Sequence, residues 1–197
     1  MAATNTVEIA PDGDVTLSCG EQVGDGNIVS LKVSSHILSY CSPVFRSLLS
    51  PRFKEGITLA ATSSVEIPLP EDDPGHMTVL CNILHMRHDQ SPSSVTNPIT
   101  LAAFAALCDK YDCALSVKPT LEHYVTADLP TAQPSHLGKY LEVAVILRYN
   151  SLVQRIAQAM VLRLYEPAIQ VVGSRSTTMI ALCGKFAEHE AAASTTY

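Results

Sequence analysis

The feature that most constrains this chain is a change of hydrophobic period at Ser34. Before it, Val15, Leu17 and Cys19 alternate with Thr16 and Ser18, and a second apolar stretch covers Ile28 to Val33. A period of two puts alternate side chains on one face of a strand. After it, Ile37, Leu38 and Cys41 recur at helical spacing, and Ser42-Pro43 supplies an N-cap residue followed by proline at the first helical position. Val44, Phe45, Leu48 and Leu49 then form a second short stripe, which Pro51 ends. A chain that switches early from strands to helices points to an α+β fold, with short strands packed against a helical cluster.

The rest of the chain supports that layout. Val7 and Ile9 suggest a first strand, and Pro11-Asp12-Gly13 has turn chemistry. Gly20, Gly24 and Gly26 read as a hairpin connection, and residues 54–64 as a loop. Val65, Ile67 and Leu69 alternate beside Pro68 and Pro70, so that strand belongs at an edge. Glu71-Asp72-Asp73-Pro74 is an acidic helix start, favoured by the helix dipole, and Met77, Leu80, Ile83 and Leu84 follow on one face. The helix over residues 99–111 carries Leu101, Phe104, Leu107, Cys108 and Tyr111. A weaker helix over 115–125 should break at Pro119, and Pro167 should stop a later one that carries Leu152, Ile156, Met160 and Leu164. A final helix is expected over 178–188. The predicted core includes Val15, Leu17, Leu38, Phe45, Leu80, Leu84, Phe104 and Leu107.

These patterns divide the chain into an N-terminal segment (1–10), a domain (11–127), a Pro130- and Pro134-containing linker (128–135), a helical extension (136–190) and a tail (191–197).

Composition narrows the function classes. Hydrophobic residues make up 47%, but charged residues only 16%, so part of the apolar surface is expected to be covered by another protein. Formal net charge is −6 and the 13 Lys and Arg are scattered, which argues against nucleic-acid binding. No apolar run approaches a membrane span, and Met1 to Asp14 lacks a basic start and an apolar signal core. The expectation is an intracellular protein, cytoplasmic or nuclear, with its six cysteines as free thiols.

Catalytic and cofactor motifs are missing. There is no nucleophile elbow, and the glycines at 20, 24 and 26 do not lead into a phosphate-binding helix. Cys81, His85 and His88 follow at i, i+4 and i+7, so they can share a helix face, but no fourth donor is evident. No catalytic residue, cofactor or metal site is therefore expected. A small metal-dependent enzyme is the distant alternative.

Three segments carry a family resemblance. They are Gly13-Asp14-Val15-Thr16-Leu17, the block from Leu31 to Arg46 containing Ser42-Pro43-Val44-Phe45, and Leu101 to Cys113 ending in Asp109-Lys110-Tyr111-Asp112-Cys113. Together, over residues 11–127, they resemble the BTB/POZ domain family, particularly its short fungal members. Ser34-Ser35 stands where animal members often carry a His-Lys or His-Arg pair that contributes to dimerisation, and no Kelch repeat or zinc finger follows.

The resemblance implies a protein–protein interaction module acting by self-association, as a homodimer, or by binding other protein partners. It also raises the alternative of a substrate adaptor on a cullin scaffold of a ubiquitin ligase. Phe53-Lys54-Glu55 lies where cullin-binding members carry a hydrophobic-x-Glu motif, so Phe53 and Glu55 are the candidate partner-binding residues; the alternative is that Phe53 closes the core over the helical pair.

Overall fold

The alternation of Val15 to Cys19 does become a strand, and its neighbours set the rest of the sheet. The computed structural model describes residues 5–20, 28–87 and 98–172. Strand β1 is Asn5–Glu8, β2 is Val15–Cys19, β3 is Val29–Val33 and β4 is Val65–Leu69. The sheet order is β1-β3-β2-β4. β2 and β3 are antiparallel, with Val15 opposite Val33 and Leu17 opposite Leu31. The outer strands pair parallel to their neighbours, β1 with β3 and β4 with β2. Pro68 therefore sits on an edge strand, opposite Ser18, where its missing N–H costs little.

One turn explains the approach of β2 to β3. Gly13 donates its N–H to the Ala10 carbonyl at 2.9 Å, closing the Pro11-Asp12-Gly13 turn. A Cβ on Gly13 would lie 2.6 Å from the Val33 carbonyl oxygen, so only glycine fits there.

Eight helices complete the described residues, which makes the fold α+β. They are α1 (Ser35–Cys41), α2 (Pro43–Leu48), α3 (Lys54–Thr62), α4 (Pro74–Leu84), α5 (Pro98–Lys110), α6 (Ala114–Asp128), α7 (Pro134–Ile146) and α8 (Asn150–Val172). The chain forms two compact units, Met1–Ile156 and Ala157–Tyr197. Of the second, only the continuation of α8 is described.

The core lies where the periodicities place it: all eight residues expected there are buried, with Leu17, Leu38, Phe45, Leu80 and Phe104 at 0% exposure. Burying each such side chain stabilises the fold by about 1.5–3 kcal/mol relative to exposure.

Four expectations change. Residues 54–64 are mostly helix, not loop. Gly56 lets the first turn of α3 lie against the preceding turn, since a Cβ there would come 2.0 Å from the Ser50 carbonyl oxygen. Pro119 does not interrupt α6, which runs unbroken from Ala114 to Asp128. Pro119 and Leu115, four residues earlier, both face solvent, so the carbonyl that loses its donor can turn to water. Nor does Pro167 stop α8, which continues to Val172.

Finally, residues 129–133 form a tight connection with Leu129 and Ala132 buried, and α7 packs along α5. Ala132 donates to the Asp128 carbonyl at 2.8 Å, which holds this turn closed. The helix expected over 178–188 lies outside the described residues.

Candidate functional site

α1, α2 and α3 follow one another with short turns and present more apolar surface than a buried stripe needs. Ser42 explains how two such short helices hold their positions. Its hydroxyl accepts the Phe45 N–H at 3.0 Å, capping α2, and donates to the Tyr111 carbonyl at 2.6 Å. Phe45 stacks on the Tyr111 ring with centroids 4.5 Å apart and planes 7° from parallel. α2 is thereby pinned to the junction of α5 and α6.

The N-terminus of α1 is held from outside the helix. Ser34 occupies the N-cap position but makes no side-chain cap. Asp14 does the work instead: one carboxylate oxygen accepts the Ser35 N–H at 2.8 Å and the other the Ser35 hydroxyl at 2.7 Å. Burial, the largest influence, pushes the Asp14 carboxyl up, yet the two bonds from Ser35, with smaller help from the Asp14 backbone N–H and His36, together hold it below its ordinary range. The Ser34 N–H goes to His85 Nε2 at 3.0 Å, and His85 Nδ1 donates to the Cys81 carbonyl at 2.8 Å. Desolvation, with Arg87 nearby, depresses the His85 pKa despite the Cys81 bond.

Between these helices lies an open groove of about 510 Å³. His36, Ser39 and Tyr40 of α1 form one wall, Arg46 and Leu49 a second, and Leu59 of α3 a third. Arg46 Nε donates to the Ser39 carbonyl at 2.8 Å and Nη2 to the Tyr40 carbonyl at 3.3 Å, closing the C-terminal end of α1. Tyr40 is 86% exposed. Val44 on α2, Phe53 at the N-cap of α3 and Ile57 one turn along α3 are also exposed. Phe53 and Ile57 are four residues apart and share a face of that helix.

Of the candidate partner-binding residues, Phe53 is 47% exposed and so is no core residue, and Glu55 is half-buried in the first turn of α3. Sequence reasoning missed Tyr40 and Arg46. A signal existed for Tyr40, an aromatic residue off the Ile37–Leu38–Cys41 stripe.

The other constellations are structural. Asp72 is buried rather than solvated at the start of α4, and accepts from Lys110 Nζ at 2.7 Å and the Tyr111 hydroxyl at 2.6 Å. Asp73 is the residue that caps α4, accepting the His76 N–H at 2.7 Å. His85 has both ring nitrogens engaged, Cys81 is buried, and His88 lies outside the described residues. Among the described residues no group of three or more His, Cys, Asp or Glu is arranged to hold a metal. The five cysteines there are free, and burial pushes the thiols of Cys19 and Cys113 up to about 12, which makes them poor nucleophiles. No described helix is long and apolar enough to cross a membrane.

Comparison with protein-family models finds no match for this chain, and comparison with curated proteins finds none.

Proposed function

We propose that this chain is a protein–protein interaction module of BTB/POZ type, acting through the face built by α1, α2 and α3. One observation carries the reading: Tyr40, Val44, Phe53 and Ile57 are exposed on three consecutive helices, of which the middle one, α2, is held in place by a buried cap and an aromatic stack while α3 packs on β4. Large apolar side chains gathered on a rigid element are what a partner's pocket receives. The element order and the Ser42-Pro43-Val44-Phe45 block support the BTB/POZ assignment.

Sedimentation equilibrium of the purified chain tests self-association. An interface built on this face should lose about 2 kcal/mol or more, roughly 30-fold in affinity, when Tyr40→Asp or Ile57→Asp places a charge in it. A monomer at every concentration, together with no binding to a cullin N-terminal domain, rejects the reading.

A substrate adaptor on a cullin scaffold is the second reading, favoured by the exposure of Phe53 next to Glu55 in the first turn of α3. There the aromatic ring is the anchor and the carboxylate sets direction. Binding of a cullin N-terminal domain that Phe53→Ala abolishes, with the melting temperature unchanged, selects it.

A further inference from the structure

The chain contains three Ser-Pro pairs, Ser42-Pro43, Ser50-Pro51 and Ser91-Pro92. The fold separates the first two sharply. Ser42 is 0% exposed and spends its hydroxyl on the cap of α2 and the Tyr111 carbonyl. Ser50 lies in the surface turn between α2 and α3, half-exposed, and is followed by the exposed run Pro51 to Lys54. Its hydroxyl makes one local bond, donating to the Ser47 carbonyl at 2.7 Å, and accepts the Arg52 N–H at 3.4 Å. Neither bond ties the turn to the core. Two cations follow within four residues, and among the described residues neither Arg52 nor Lys54 meets a carboxylate.

We propose that Ser50 is a phosphorylation site for a proline-directed protein kinase, and that its phosphate, paired with Arg52 and Lys54, controls docking on the α1–α3 face. The modification needs ATP: Ser50 Oγ attacks the γ-phosphorus, the new O–P bond replaces the bridge to ADP, and the hydroxyl proton passes to the kinase's base. The phosphate brings a charge of about −1.5 to −2 at neutral pH and three acceptor oxygens. The segment from Arg52 to Glu55 holds two cations and one carboxylate, a net +1, and the phosphate makes the turn net negative. The change falls three residues from Phe53, whose ring must shed water to dock. A hydrated dianion beside it opposes that step. The effect on docking rests on the function proposed above, whereas the modification does not.

The test uses the folded full chain carrying Ser91→Ala, a proline-directed kinase and ATP, with peptide mapping by mass spectrometry. Phosphate is expected at Ser50, absent at Ser42, and lost in a Ser50→Ala variant. A synthetic peptide spanning residues 36–56 should accept phosphate at both serines, showing that the fold selects between them. An unmodified Ser50 in the folded chain, or Ser42 modified as readily, overturns the site. The phosphorylated and unmodified chains are then compared by sedimentation equilibrium, where phosphate should weaken self-association at least tenfold. Modification at Ser50 with unchanged self-association overturns the control of docking but keeps the site. If the unmodified chain binds neither itself nor a cullin N-terminal domain, the docking reading fails and the phosphorylation result still stands.

Discussion

Lowering the pH from 7.5 to 5 should weaken the fold through His85, and His85→Gln should abolish that part of the loss. The neutral ring uses one nitrogen to accept the Ser34 N–H and the other to donate to the Cys81 carbonyl. A second proton on Nε2 would set a donor against a donor at 3.0 Å, so protonation breaks the bond that holds the entry to α1. An amide N–H left without a partner in a half-buried site costs about 1–3 kcal/mol.

The sign follows from linkage. The His85 pKa is depressed from 6.5 by desolvation first, so the unfolded chain takes up the proton at higher pH than the native protein does. The stability His85 contributes is fully present above 6.5 and is lost as pH falls through its lower native pKa. One group can supply a slope of at most about 1.4 kcal/mol per pH unit. Glutamine can offer the same acceptor and donor without titrating. Urea melts of both proteins at half-unit steps from pH 7.5 to 5 give the difference, in which the other histidines cancel. A wild-type midpoint that stays flat over this window, or an equal slope in His85→Gln, refutes the reasoning.

Phe53→Ala should change stability by less than about 1 kcal/mol, because the ring is nearly half exposed. A loss near 3 kcal/mol by denaturant melting would place Phe53 in the core. Tyr111→Phe keeps the stack on Phe45 but removes a bond to a buried carboxylate, and should cost about 1–3 kcal/mol. Gly138→Ala in α7, where a Cβ would meet nothing within 4 Å, should raise stability by about 0.5–1 kcal/mol, seen as a higher urea midpoint.

What the sequence made legible depended on burial. β2 buries alternate residues, so its period of two stands out; α4 is read from its apolar run and its Asp73-Pro74 start, since Val79 to Leu84 are all buried, and Ser42-Pro43 marks the start of α2 by local chemistry alone. α3 could not be read this way. It buries only Gly56, and Ile57 faces outward, so no stripe forms. Pro119 misleads because a proline on a solvated helix face removes one bond without ending the helix, and Pro167 likewise lies within a helix that runs past it. Asp72 was hidden for another reason: its partners Lys110 and Tyr111 lie 38 and 39 residues away, and no local pattern announces them. For the candidate site, the hydrophobic-x-Glu pattern singles out Phe53 and Glu55, but Tyr40 and Arg46 come together in the groove only through the packing of the helices.

The bond from Ser42 to the Tyr111 carbonyl spans 69 residues, and this separation has a consequence for synthesis. When Ser42 leaves the ribosome its acceptor does not yet exist. At about 5–20 residues per second, some 3–14 s pass before Tyr111 is made. Through that interval Phe45 has no ring to stack on, and the apolar side chains of α1 and α2 stand exposed on a nascent chain. The N-terminal half of this protein therefore cannot complete this part of its packing during its own synthesis, and it closes only when the end of α5 arrives.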